Sequence, residues 1–224
     1  MDYRNLILSM KKSTFNDALE SSLRVFDINK SSIGKLVPVG EWLLTDELVL
    51  QKITDWRRRF NRMFPTRTSV DSSTTKKYIK NTYVKNNDSI FFLIFTESEE
   101  LVGHIGLCSL NEKSYELVNL MRGISGGDSD LIYLAEVCLV KFGFGLAGHN
   151  ECHVEIMSYN WIVRELHEKV GFKKISSWPL FKQDDSTGIR HHKVEISEKN
   201  VDYTIDVMSV NKDSFYSLHA FRQV

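Results

Sequence analysis

Prolines are scarce, three in 224 residues, which excludes a collagen-like or proline-rich extended chain. Cysteines are equally few. Cys108, Cys138 and Cys152 lie in apolar stretches and read as small buried hydrophobes in a reducing compartment, not as a disulfide framework. No run of about 18 apolar residues exists, and the short apolar stretch of Met1–Lys12 is followed rather than preceded by its Lys pair. Neither a membrane span nor a secretory signal is expected, and the predicted location is the cytoplasm. Net charge is missing too: 29 Lys plus Arg balance 29 Asp plus Glu. No global field therefore draws the chain to nucleic acid or to an anionic membrane, and any anionic ligand has to be caught locally. What is present, 42% hydrophobic and 26% charged residues, suffices for one cored domain with an extension.

Phe15, Leu19, Leu23 and Phe26 are spaced like one face of a helix, so an accessory helix is predicted within residues 1–35. Lys35–Glu41 reads as a first strand. From Thr45 as N-cap, Leu48, Leu50, Ile53, Trp56, Phe60, Met63 and Phe64 keep helical spacing up to Pro65. A second helix is expected at Lys76–Lys85. Ser89–Thr96, Leu101–Leu110 and Tyr115–Met121 then read as an antiparallel meander. Leu131–Phe144, apolar almost all round, is a helix buried on that sheet. A strand at Glu151–Ser158, a helix at Asn160–Val170 stopped by Gly171, and a strand at Phe172–Ser177 follow. A polar protruding loop is expected over 178–193, centred on Lys182–Arg190, before a last strand at Val201–Val210. The predicted class is α+β, or mixed α/β, with residues 1–35 as an N-terminal accessory segment, 36–215 as the main domain and 216–224 as a C-terminal tail.

The most informative stretch is Arg122–Asp128 (RGISGGD), between a strand and a buried helix. Gly123, Gly126 and Gly127 allow close approach to the backbone, amides at a helix N-terminus suit phosphate oxygens, and Arg122 adds a permanent charge. The same residues also make a plain strand-to-helix turn, with Asp128 capping the helix. Strand alternation puts Glu116, Val118 and Leu120 on one face. Glu116 is then either a carboxylate able to collect a proton or a solvent-facing partner of Lys113, and His104 is either a second base or a core histidine. Trp56 and Arg57 open the run WRRRFNRMF. Aromatics beside arginines hold a nucleobase and diphosphate by stacking and paired hydrogen bonds, or simply form a solvated face. His149, Cys152, His153 and Glu155 are metal-ligand types, but alternation splits Cys152 from His153, so no metal is expected. No G-x-S-x-G elbow or H-E-x-x-H motif argues for a hydrolase.

The strand at 101–110, the turn RGISGGD with its helix, and NWIVRELHEKVGF (Asn160–Phe172) together resemble the GNAT superfamily of acyl-CoA-dependent N-acyltransferases. The family's [QR]-x-x-G-x-[GA] loop is matched at Arg122 and Gly127, with Ser125 at its fourth position. Asn160, Glu168, Lys169, Gly171 and Phe172 sit at the family's spacing. The resemblance implies a central, mostly antiparallel twisted sheet whose parallel central pair is splayed apart, flanked by about four helices. It implies acyl-CoA as co-substrate, held by Met121, Arg122, Gly123, Ser125, Gly126, Gly127, Asp128 and Asn160. It further implies Glu116 as base and, where many relatives carry a tyrosine, His167 as acid or else as an interhelical histidine. Trp56 and Arg57 would bind the acceptor. The 56–64 segment is similar to that of enzymes acylating nucleotide-linked amino sugars, and also of those acetylating ribosomal protein termini. The expected enzyme is a monomer or homodimer acting on a small amine. A terminal acetyltransferase and a non-catalytic acyl-CoA-binding module are the alternatives.

Overall fold

The computed structural model describes residues 3–108, 114–146, 149–186, 188–195 and 201–220. The chain opens with α1 (Tyr3–Met10) and α2 (Phe15–Glu20), then a hairpin of β1 (Leu23–Phe26) and β2 (Ser32–Pro38). The single helix expected over Phe15–Phe26 is thus broken. Val25 is buried between exposed Arg24 and Phe26, the two-residue alternation of a strand. Asp27 Oδ1 accepts from the amides of Asn29 and Ser31 and so turns the chain into β2.

The helix α3 (Glu47–Arg59) is capped by Asp46, not Thr45: Asp46 Oδ1 accepts from the Val49 amide at 3.0 Å. A short β3 (Thr66–Thr68) and α4 (Ser72–Ile79) follow. The meander appears as β4 (Ile90–Thr96), β5 (Leu101–Cys108) and β6 (Ser114–Arg122); residues 109–113, and with them the proposed partner Lys113, lie outside the described residues. Next come α5 (Leu131–Gly145), β7 (Glu151–Met157) and α6 (Trp161–Val170). The expected loop over 178–193 is instead a hairpin of β8 (Lys173–Asp185) and β9 (Gly188–Lys193), in register from Leu180↔Lys193 to Asp185↔Gly188. Its residues are largely exposed, so no hydrophobic alternation marked it as strand. Last are β10 (Val201–Asn211) and α7 (Lys212–Leu218).

All ten strands join one sheet in the order β1-β2-β4-β5-β6-β7-β10-β8-β9-β3. Every pairing is antiparallel except β6 with β7. Besides the four helices expected to flank the sheet, α3 to α6, the described residues hold three short ones. One apolar cluster joins α5 and α1 to one face of the sheet, and a second joins Trp42, Leu43, α3 and α4 to the other. Covered on both sides, β4 is buried at every residue, which is why its sequence is an unbroken apolar run. No helix among the described residues is long and apolar enough to cross a membrane.

Candidate active site

The parallel pair β6 and β7 is joined only at Ser114↔Glu151, Tyr115↔Cys152 and Glu116↔His153. Beyond Glu116 the strands part. Into the opening runs a cleft of about 440 Å³, walled by Glu116–Arg122 of β6, Val154–Met157 of β7, Asn160 and His167 on the α6 side, and Phe60–Pro65 after α3. Backbone groups on this edge of β6 have no strand to pair with, so polar groups of a ligand can bond to them.

A bulge shapes the same strand. His104 pairs with Met121 and Gly106 with Val118, so β6 carries one residue more than β5 between them. Asn119 takes φ +54° there, a left-handed conformation that a short polar side chain tolerates. Its Nδ2 donates to the hydroxyls of Tyr78 and Tyr83, and its carbonyl accepts from His104 Nδ1 at 2.7 Å. The bulge also reverses the alternation. Leu120 packs with Leu117 toward α5, while Val118 shares the α3 side with Met121. Glu116, Val118 and Leu120 therefore do not share one face, as a regular strand would require.

Past β6 the chain turns through residues 123–130 into α5. Gly123 and Ile124 donate to the Val102 carbonyl, whereas the amides of Ser125, Gly126 and Gly127 have no hydrogen-bond partner among the described residues. Gly127 has φ +68°. The Arg122 guanidinium folds back over the turn, donating to the carbonyls of Ile124 and Gly126. Asp128 accepts from the Asp130 amide, and it is Asp130 that occupies the N-cap position of α5. Free amides, a left-handed glycine and a nearby cation suit a phosphate group.

Gly123 has a separate reason to be glycine. A Cβ there would lie 2.0 Å from the ring of Trp56, itself only 3% exposed. Trp56 lines neither cavity of the site; it is the floor on which the turn rests, and Arg59 adds a bond to the Gly123 carbonyl. Gly123→Ala should cost about 1–3 kcal/mol by overpacking, read as a lowered denaturant midpoint. Wild-type stability would mean that the indole moves aside freely.

The helix α6 ends on Gly171 at φ +110°, whose amide bonds the carbonyls of His167 and Glu168. Asn160 stands at its N-cap position with no side-chain capping bond, and it lines the cleft. His167 is buried, and its Nδ1 lies 2.5 Å from Glu136 Oε1 of α5. Glu136 is fully buried, the partner that sequence reasoning missed. The signal was present as a carboxylate inside an otherwise apolar helix segment. With Nδ1 bonded to a carboxylate, the ring is held in one orientation and tautomer, and Nε2 is left for the cleft. Arg164 and Lys174 converge with Ser177 on buried Asp206 of β10, anchoring α6 to the sheet.

Glu116 lies at the closed end of the cleft. Burial, reinforced by the charge of Glu155, raises its carboxyl above the ordinary value, while Lys193 and Cys108 act the other way. Between the unfolded and the raised folded pKa the folded state binds more protons, so this group removes stability as pH rises. Glu116→Gln should make thermal stability less sensitive to pH above the ordinary carboxylate range, with a gain near neutrality. Parallel melting-temperature profiles for variant and wild type would refute the buried charge.

A second cavity, of about 390 Å³, opens between α3, α4, the segment 64–70 and the sheet. It shares Phe64, Pro65 and Asn119 with the cleft, so the two meet at the bulge. Arg57 and His104 line it. Burial drives the His104 ring down to about 4, which keeps it neutral, and because Nδ1 donates to Asn119 the other nitrogen is an acceptor. The site thus brings together Glu116, Met121, Arg122, Asn160 and His167 around one cleft and puts Arg57 in the adjoining cavity.

No protein-family model and no curated protein matches the sequence. Solved structures do match in fold. A probable acetyltransferase of the GNAT family from Chromobacterium violaceum superposes with TM-score 0.64 at 15% identity, covering 88% of this chain and 89% of that one. A GCN5-related N-acetyltransferase from Brucella melitensis gives 0.62 at 16%, covering 89% and 84%. FdhC, a nucleotide-linked sugar GNAT, gives 0.59 at 18%, covering 84% and 94%. With its one parallel pair splayed in the middle of an otherwise antiparallel sheet, the chain has the fold of the GNAT acetyltransferases.

Proposed function

We propose that the protein is an acyltransferase that moves an acyl group from acyl-CoA to the amine of a small acceptor, a nucleotide-linked amino sugar. The observation that carries this reading is the open edge of β6, which lines the cleft from Glu116 to Arg122, leads at its end into the free amides of residues 125–127, and shares Asn119 with the lining of a second cavity. The residues fit the co-substrate. The turn amides and Arg122 would take the diphosphate, and the unpaired edge of β6 with the Asn160 side chain would take the amides of the pantetheine arm. Bound acyl-CoA supplies an activated thioester carbonyl. A backbone N–H near Met121 would polarise it.

The protein's own groups handle the protons. Glu116 receives the proton of the attacking amine, and His167, as the imidazolium whose Nδ1–H is held by Glu136, gives its Nε2 proton to the departing sulfur. The acceptor enters from the other side of the bulge. A cavity bounded by two helices and the 64–70 segment suits a compact acceptor better than the extended peptide of a terminal acetyltransferase. The FdhC likeness agrees with a nucleotide-linked sugar.

The test is release of free thiol from acetyl-CoA in the presence of a panel of nucleotide-linked amino sugars, free amino sugars and peptides, with calorimetric titration of CoA alongside. Turnover on a nucleotide-linked sugar supports the reading. Turnover on peptides alone replaces the acceptor, and CoA binding without turnover on any amine makes the protein a binding module.

A further inference from the structure

Resting on the acyltransferase reading, we propose that the second cavity recognises a phosphate group of the acceptor, and that Arg57 is the residue that binds it. The four arginines Arg57, Arg58, Arg59 and Arg62 look alike in sequence, but the fold gives them different work. Arg58 is exposed and paired with Asp55 at 2.7 Å. Arg59 bonds the Gly123 carbonyl. Arg57 turns inward. Its guanidinium lies 3.5 Å from the ring centroid of Phe64, Nη2 donates to the Thr66 carbonyl at 2.8 Å, and Nη1 is shielded from solvent with no hydrogen-bond partner.

No carboxylate lines this cavity, and no ion pair to Arg57 occurs among the described residues. Although burial lowers the guanidinium to about 10, it stays charged at neutral pH. A shielded cation without a counter-ion opposes folding; a ligand that supplies the anion removes the penalty.

Thr66 takes only one of the Nη2 hydrogens, so the guanidinium keeps further donors for an anion. It lines a cavity together with the hydroxyl-bearing Thr68, Ser69 and Tyr78. Single donors from several directions suit a tetrahedral phosphate. Neutral His104 adds no competing charge. Because this cavity meets the cleft at Asn119, a phosphate at Arg57 leaves the rest of the acceptor to reach toward the thioester.

The experiment compares wild type and Arg57→Gln on three acceptors with the same amino sugar: free, as its 1-phosphate, and nucleoside-diphosphate-linked. Arg57→Lys serves as the charge-conserving control, and melting temperature checks the fold. The expected result is a rise of about 10- to 100-fold in KM for the phosphorylated acceptors in Arg57→Gln, partial recovery in Arg57→Lys, and unchanged KM for acetyl-CoA and for the free sugar. Calorimetric titration of inorganic pyrophosphate with CoA held saturating should show a site lost in Arg57→Gln. Equal losses on free and phosphorylated sugars, or preference for a carboxylate-bearing amine, would overturn the proposal while leaving the acyltransferase reading intact. Failure of transfer to every amine, with CoA unbound, would instead sink that reading.

Discussion

Replacing His167 should lower kcat by about 100-fold or more, the range for loss of a positioned acid, with KM for acyl-CoA nearly unchanged. Because Ala would leave Glu136 buried and unpaired, His167→Gln is the better first variant, and His167→Ala a second. Glu136→Gln should reproduce part of the loss, about 10- to 100-fold, since the carboxylate acts only through the ring it orients. The double variant should be little worse than His167→Gln alone, because the two residues work as one unit. The pH–rate profile supplies the discriminating readout: a limb present in wild type should vanish when His167 is replaced. If His167→Gln turns over at the wild-type rate, binding and positioning are the whole mechanism and the Glu136–His167 contact is purely structural.

The largest effect on stability is expected at Asp206. Its carboxylate is fully buried and gathers Arg164 at 2.5 Å, Lys174 at 2.7 Å and the Ser177 hydroxyl. Burial alone would raise its pKa, but Lys174, Ser177 and Arg164 outweigh it and hold the carboxyl below the ordinary value. Asp206→Asn keeps the shape and removes the charge. It should cost about 3 kcal/mol, near the lower end for breaking a buried pair, because both cations keep some access to water. The linkage follows in sign: stability from this group is complete above the ordinary carboxylate pKa and is lost as pH falls through the lower folded value. Denaturant melts should therefore show wild type and Asp206→Asn converging in strong acid. A constant gap between them at every pH would mean that the loss comes from packing and not from charge. Activity should fall too, since Arg164 anchors the helix that carries Asn160 and His167.

These groups differ in how far the sequence foretold them. The turn after β6, Asn160 at the start of its helix, the Gly171 stop and the place of His167 were all readable, because each depends on local backbone chemistry. The burial of β4 and α5 was readable as well, since an element covered on all sides has no polar face. Three features were not. Leu23–Phe26 carried helical spacing by coincidence and became strand through hydrogen bonds to β2. The hairpin β8–β9 is polar and largely exposed, so apolar periodicity had nothing to detect. The bulge at Asn119 reversed the faces of β6 because one extra residue in one strand is defined only against its neighbour.

What the sequence determined by itself is the series of local commitments: helix stops, turns, and the apolar segments that had to be buried in one mixed sheet. Only the tertiary structure decided which polar groups would meet. It placed Glu136 against His167 across two helices, drew Arg57 out of a row of similar arginines, and opened β6 from β7. The physical reason is range: backbone preference acts over a few residues, whereas a buried charge takes its character from whichever partner long-range packing brings within hydrogen-bonding distance.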